Sequence, residues 1–340
     1  MRCGAVGVGR MGRHHARVYA NLAGCELVGV VDADAETRRR VSEQHGCAAF
    51  ERVEDLLDAG IDAASIAVPT TCHMDIASPL LEAGVACLVE KPLAGDADTA
   101  GQIRDIARRT GTTLMVGHIE RFNPIMRAMQ KATEGGDPIA PRFVQVHRVS
   151  PMTFRSVDIG VVMDMMIHDL DVVLMLMDGQ EPDEIHAAGV NVITDHEDVC
   201  NAWLTWRRPT GTCVANITAS RLALKTERVT RITGENAYIK IDYAAKTGVL
   251  ITRAANEIQM REVHEQIRRG ADLTDLNWHE LVNVTPLTVD DAEPIVMEIS
   301  SFIDAVRTGR QPAIDAEAGL VNVQVAERIV QAIRETMGPA

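Results

Sequence analysis

Cys3-Gly4-Ala5-Val6-Gly7-Val8-Gly9-Arg10-Met11-Gly12 decides how the first third of this 340-residue chain folds. Cys3 to Val8 reads as a short buried strand, and a helical pattern runs from about Met11 to Leu22. Between them stand three glycines spaced Gly7-x-Gly9-x-x-Gly12. In a strand–turn–helix, the first permits a tight turn, the second lets backbone approach a pyrophosphate, and the third lets helix and strand pack closely. The helix N-terminus adds unpaired N–H groups and the positive end of its dipole. A second apolar run, Leu27 to Val31, ends in Asp32, twenty residues beyond Gly12. That is the spacing at which an acid meets a ribose. A carboxylate there accepts both ribose hydroxyls and repels a 2′-phosphate, which favours NAD over NADP. Arg38, Arg39 and Arg40 follow on the next helix and could soften that preference. The expected cofactor contacts of this region are Gly7, Gly9, Arg10, Met11, Gly12 and Asp32.

The alternation continues. Glu54 to Ala59, Met74 to Ala83 and Asp96 to Thr110 read as helices; Ala64 to Val68, Ala86 to Val89 and Thr113 to Gly117 read as strands. Strands alternating with helices of this length specify an α/β fold, a Rossmann doubly wound parallel sheet with right-handed crossovers. Ligands of such sheets lie at the carboxyl ends of the strands. Gly7 to Gly12, Asp32, Pro69-Thr70-Thr71, Glu90-Lys91-Pro92 and His118 all follow strand ends, so they share one edge. A lysine fixed between a carboxylate and a proline just past a buried strand is poorly explained by packing. Cofactor and substrate are expected to meet at Lys91.

From Arg142 the pattern changes to strand-like runs joined by short turns such as Arg208-Pro209-Thr210-Gly211. Without intervening helices this predicts a mostly antiparallel open sheet in an α+β domain. The predicted division is a dinucleotide-binding domain over 1–120 and a substrate-binding and oligomerisation domain over 121–340. The stretch His118 to Pro124 leads into an expected helix to about Glu134, broken by Gly135-Gly136-Asp137-Pro138. The stretch Glu262 to Pro286 reads as less regular, and helices from about Glu293 to Arg307 and Ala316 to Thr336 close the chain. One helix, Val162 to Leu174, places Asp164 and His168 at i,i+4 on a shared face, with Asp171 three residues further. Among methionines and aliphatics, such groups are costly unless paired. A structural Asp–His pair and a metal site are the alternatives to a catalytic role; no third ligand stands at recognisable metal spacing. His14 and His15 read as ordinary helix residues.

A formal charge of −14 argues against a nucleic-acid binder, which needs a basic face. Seven scattered cysteines show no C-x-x-C pair, so reduced thiols are expected. No apolar run is long enough to span a bilayer, and no signal-peptide pattern precedes the first strand. The expectation is a cytoplasmic enzyme without a membrane partner.

Together, Gly7-x-Gly9-x-x-Gly12, Pro69-x-x-x-His73, Glu90-Lys91-Pro92 and Asp164-x-x-x-His168-x-x-Asp171 resemble the glucose–fructose oxidoreductase / inositol dehydrogenase / MocA-like family across nearly the whole chain. The resemblance implies a nicotinamide-dependent oxidoreductase acting on sugars, cyclitols or related compounds, with Lys91, Asp164 and His168 at the catalytic positions. It also places Pro69, Thr70, His73, Glu90 and Lys91 along the cofactor. Where the family often has a glycine two residues before the histidine, this chain has Met166. Gly160-Val161-Val162 stands where a glycine-rich approach to the aspartate is common, so the local backbone is expected to differ. With Gly117-His118-Ile119-Glu120-Arg121-Phe122-Asn123-Pro124, the chain is similar to the branch that oxidises the 3-hydroxyl of UDP-N-acetylglucosamine.

In that reading His168 is the candidate general base, since its reference pKa lies near neutrality. Lys91 donates to the reacting oxygen and stabilises alkoxide charge. Asp164 orients either His168 or Lys91, and Glu90 fixes the lysine loop. His118, Arg121 and Asn123 join Lys91, Asp164 and His168 as substrate contacts, Arg suiting a diphosphate and Asn a sugar hydroxyl or acetamido group. Other readings are an inositol or free-sugar dehydrogenase, a glycoside hydrolase that retains NAD, and a non-catalytic NAD-binding regulator. An open sheet needs one face covered, so a homodimer or homotetramer is expected.

Overall fold

The computed structural model describes residues 1–133, 139–154, 157–255, 257–272 and 276–337; the expected break at Gly135 to Pro138 lies outside them. The first sheet contains β1 (Arg2–Val6), β2 (Glu26–Val31), β3 (Ala48–Phe50), β4 (Ala63–Ile66), β5 (Ala86–Glu90) and β6 (Leu114–Gly117). Every pair in it is parallel, in the order β3-β2-β1-β4-β5-β6. The crossovers are α1 (Gly12–Asn21), α2 (Ala35–His45), α3 (Val53–Asp58), α4 (His73–Glu82) and α5 (Ala97–Thr110). The strand order reverses between β1 and β4, the crevice where doubly wound sheets bind their ligands. Burial on both faces explains the near-continuous apolar runs of β4 and β5, whose residues from Ala63 to Ile66 and Ala86 to Val89 are buried.

A 3₁₀ turn, Ile119–Phe122, and α6 (Pro124–Thr133) lead into the second sheet. Pro124 opens α6, where its missing N–H goes unused and its fixed φ suits the first turn. The second sheet has eight strands: β7 (Pro141–Val149), β8 (Glu184–Val190), β9 (Val199–Arg208), β10 (Gly211–Ser220), β11 (Glu227–Gly234), β12 (Ala237–Asp242), β13 (Thr247–Arg253) and β14 (Val282–Pro286). Their order is β14-β13-β12-β11-β7-β10-β9-β8, antiparallel except for β7 beside β10. Alternation sets its two faces. Cys200, Ala202, Leu204 and Trp206 of β9 turn inward to a core shared with α6 and α7 (Ile167–Leu176), while Trp203 is exposed on the other face.

One expectation changes. The stretch read as less regular contains α8 (Glu257–Arg268) and β14, which pairs with β13. The closing helices pack back on the first sheet. Helix α9 (Pro294–Thr308) buries Ile295, Ile299, Phe302 and Ile303 in one core with Ala5, Val30, Leu88 and Met115 of the first sheet. Ile314 accepts from Val116 N at 2.9 Å. Helix α10 (Ala316–Met337) places Leu320 and Val323 in the first core, and Val325 and Ile329 in the second. The closing helices therefore tie the two sheets together. Among the described residues no helix is long and apolar enough to cross a membrane.

Candidate active site

The strand ends converge as the alternation requires. Gly7 has φ +77, and a Cβ there would lie 2.7 Å from the Ala67 carbonyl oxygen. A Cβ on Gly12 would run into the Gly7 carbonyl, so any side chain would push α1 off β1. At Gly9 nothing lies within 4 Å, leaving open the approach that a pyrophosphate needs. Arg10 and Met11 sit in this loop immediately before α1. Asp32 Oδ2 accepts from Val8 N at 2.8 Å and Oδ1 from Asp34 N at 2.9 Å, which aims the carboxylate beside the glycine loop. Each oxygen keeps acceptor capacity for a ribose hydroxyl. These residues fit a nicotinamide dinucleotide. Arg38 is engaged elsewhere: its guanidinium donates to the carbonyls of Asp32 and Ala33 at 3.0 and 3.2 Å.

Pro69 and Thr70 follow β4 across the crevice from the glycine loop. His73, expected along the cofactor, is buried, with its ring nitrogens 3.2 Å from the Leu93 carbonyl and 3.1 Å from that of Val68. It joins the loop after β4 to the loop after β5, and its ring is taken up by backbone.

Lys91 stands at the end of β5, and its Nζ crosses to the second half of the molecule. It donates to the Asp164 backbone carbonyl at 2.9 Å and lies 3.9 Å from Asp164 Oδ1. Burial lowers the Lys91 pKa; Asp164 and Glu90 oppose that shift, and Arg148 adds to it. Asp164 thus faces Lys91. Its segment, Val162–Met166, is wound as a π turn before α7, a departure from the expected continuous α-helix. Such turns recur at functional sites because they re-aim backbone and side chains. His168, just inside α7, has a buried Nδ1 with no hydrogen-bond partner among the described residues. Burial holds its pKa well below 6.5, and Lys91, Arg148, His118 and Arg228 add positive charge that lowers it further. Both effects favour the neutral imidazole.

The remaining carboxylates of α7 are paired. Asp171 accepts from Arg121 Nε and Nη2 at 2.7 and 2.6 Å, and Asp169 from Arg148 Nε at 2.6 Å. Arg121, expected on substrate, is therefore committed to a buried bidentate pair. Asn123 is likewise engaged: its Oδ1 accepts from Ile125 N at 3.2 Å at the start of α6, and its Nδ2 donates to Glu120 at 3.2 Å. His118 is buried, with neither ring nitrogen partnered; burial lowers its pKa, and Asp171 opposes the shift.

One residue of the site was read as an ordinary helix residue. His15 is fully buried, with Nε2 3.1 Å from Glu90 Oε1. Burial pushes the Glu90 carboxyl up, but His15 and Lys91 together hold it below the usual glutamate value. Glu90 Oε2 accepts from Lys91 N at 3.3 Å. The signal was there: Gly12, His15, Ala16 and Tyr19 form the buried i, i+3, i+4, i+7 stripe of α1, which turns His15 toward the sheet. Among the described residues, no group of three or more His, Cys, Asp or Glu side chains converges as a metal site.

A glycine loop and ribose acid on one edge of a doubly wound sheet, with a lysine reaching across to a second domain, define a nicotinamide-dependent oxidoreductase. The chain belongs to the GFO/IDH/MocA family. Residues 1–118 match the oxidoreductase family with an NAD-binding Rossmann fold, and residues 139–240 match the GFO/IDH/MocA C-terminal domain. It is a dehydrogenase acting on CH–OH groups. Over 258 residues, 76% of this chain and 79% of the relative, it is 39% identical to UDP-N-acetylglucosamine 3-dehydrogenase from Acidithiobacillus ferrooxidans. A solved structure of a UDP-N-acetylglucosamine 3-dehydrogenase from that organism superposes with TM-score 0.86 at 33% identity, covering 100% of this chain and 99% of the other. Inositol 2-dehydrogenase from Rhizobium meliloti is 28% identical over 98% of this chain and 97% of its own.

Proposed function

We propose that the protein uses NAD to oxidise a secondary hydroxyl of a nucleotide sugar, the 3-hydroxyl of UDP-N-acetylglucosamine. The observation that carries the chemistry is Lys91 Nζ, 2.9 Å from the backbone carbonyl of Asp164, four residues before His168. Bound nicotinamide supplies a hydride acceptor. Lys91 donates to the reacting oxygen and stabilises the negative charge that develops there. His168 takes the hydroxyl proton, a role its neutral form is ready for. Asp164 holds Lys91 rather than His168, and Glu90, fixed by His15, sets the start of the lysine loop. Asp32, oriented by Val8 N, favours NAD, since a 2′-phosphate would meet its carboxylate. The substrate choice rests on the similarity to the Acidithiobacillus enzyme.

The same proposal covers the assembly. On the outer face of the second sheet, Phe143 and Trp203 stand with ring centroids 6.1 Å apart, and Asn201 bonds Asn216 and Thr218. A second copy of the chain seated there makes a homodimer, and a pair of dimers a homotetramer.

The test is a screen of UDP-sugars, free sugars and inositols with NAD and NADP, read as absorbance of reduced nicotinamide. Turnover is expected with UDP-N-acetylglucosamine and NAD. Turnover confined to an inositol, or glycoside cleavage without net reduced cofactor, would overturn the substrate assignment.

A further inference from the structure

The carbonyl on which Lys91 rests belongs to a segment that is itself held from outside. Gly160 O accepts from Asp164 N at 3.1 Å. The turn between β8 and β9 approaches this segment, and Glu197 lies in it. Its Oε1 accepts from Val162 N at 3.1 Å, and its backbone carbonyl accepts from Val161 N at 2.9 Å. Two successive N–H groups at the start of the helical run are thus satisfied by one distant residue. A carboxylate at that end is also favoured by the helix dipole. Gly160 leaves the room: a Cβ there would run into the Glu197 carboxylate.

The turn carrying Glu197 is rigid. Asp198, with 0% exposure, accepts from the N–H groups of Val192, Ile193 and Thr194 at 2.8, 2.6 and 3.0 Å. Burial pushes its carboxyl up, but these bonds prevail and hold the pKa down to about 2. Arg221 donates to the Ile159 carbonyl at 2.7 Å and lies 3.6 Å from Asp198 Oδ1, so both sides of the clamp are anchored to one guanidinium. The Glu197 carboxylate also borders an open cavity of about 1130 Å³, which keeps its charge in contact with solvent.

We infer that Glu197 is a positioning residue for Lys91: by clamping Val161 and Val162 it fixes the Asp164 carbonyl that receives the lysine ammonium across the domain junction. This rests on the proposed role of Lys91 as donor to the reacting oxygen. A misplacement of about 1 Å in such a group costs up to about 100-fold in rate, so the clamp matters to turnover even though Glu197 touches no reacting atom.

The test compares Glu197→Ala, Glu197→Gln and Gly160→Ala. Its first readout is titration of the Lys91 amine, followed as pH-dependent acylation by a small reagent and read by peptide mass spectrometry. Burial and Arg148 lower the Lys91 pKa while Asp164 and Glu90 raise it, so loosening the segment that carries Asp164 should displace the midpoint in Glu197→Ala and in Gly160→Ala. Glu197→Gln keeps the acceptor oxygen and should restore the wild-type midpoint. With UDP-N-acetylglucosamine, kcat should fall by about tenfold or more in Glu197→Ala and Gly160→Ala while KM for NAD stays unchanged. The labelling needs no substrate, so an inactive wild type would sink the proposed function and leave the midpoints to judge Glu197. An unchanged Lys91 midpoint in both Glu197→Ala and Gly160→Ala, with or without a lower melting temperature, would overturn the inference.

Discussion

In the proposed mechanism Lys91 and His168 have opposite duties, and their surroundings move both pKa values down. For His168 the consequence has a definite sign. A general base works only when neutral, and a pKa held well below 6.5 keeps it neutral to lower pH than a free imidazole. The acid limb of kcat/KM should therefore lie below 6.5. The alkaline limb, set by Lys91, should lie below 10.5, since burial lowers that group too. In His168→Ala the acid limb should vanish, with a rate loss of about 10²–10⁴-fold. An acid limb at or above 6.5 in the wild type would assign the base elsewhere. Arg121 carries a different expectation. Replacing it with Met strands the Asp171 carboxylate, 1% exposed, without its bidentate partner. Breaking a buried pair costs about 3–5 kcal/mol, to be read from denaturant unfolding. A raised substrate KM with unchanged stability would instead return Arg121 to the substrate.

At the scale of elements, what could be read in advance divides by the range of the physics. Strand β1, the glycine loop, α1 and the acid after β2 were legible because each glycine answers a local demand: Gly7 a positive φ, Gly12 a close approach. The edge shared by Asp32, Pro69, Lys91 and His118 followed from parallel alternation alone. The π turn at Val162–Met166 did not. The segment is held by Glu197 and Lys91, which reach it from other parts of the chain, and no local pattern announces either contact. The Arg121–Asp171 pair was equally hidden, its partners being fifty residues apart. Helix α9 shows an amphipathic face in sequence, but that face does not say which sheet it covers. It also carries Glu298, fully buried with neither carboxylate oxygen partnered. Burial raises its pKa well above 4.5, and Glu90 and Asp171 raise it further. An acid with a raised folded pKa contributes its full stability below the unfolded value and loses it as pH rises through the folded one. Glu298→Leu should therefore gain melting temperature over the wild type as pH climbs from 4.5 toward neutrality. A difference between the two proteins that stays constant with pH would contradict this.

The whole molecule is two sheets joined by closing helices, with one sheet face covered by α6, α7 and α10 and the other bare. Trp203 is 46% exposed on that bare face, on β9 between the edge strand β8 and β10. Light scattering of the purified protein should give the mass of a dimer or tetramer, and Trp203→Glu should reduce it toward a monomer. A monomeric wild type would remove the proposed assembly. At the junction between the two sheets, a lysine from the cofactor edge is held by the second domain. Lys91→Met tests its role most directly, with NAD affinity and turnover on UDP-N-acetylglucosamine measured on the same preparation. The substitution removes a donor that acts on charge developing in the transition state, so NAD should bind as in the wild type while kcat falls by about 10²–10³-fold. Turnover within about twofold of the wild type, far short of that loss, would contradict the account.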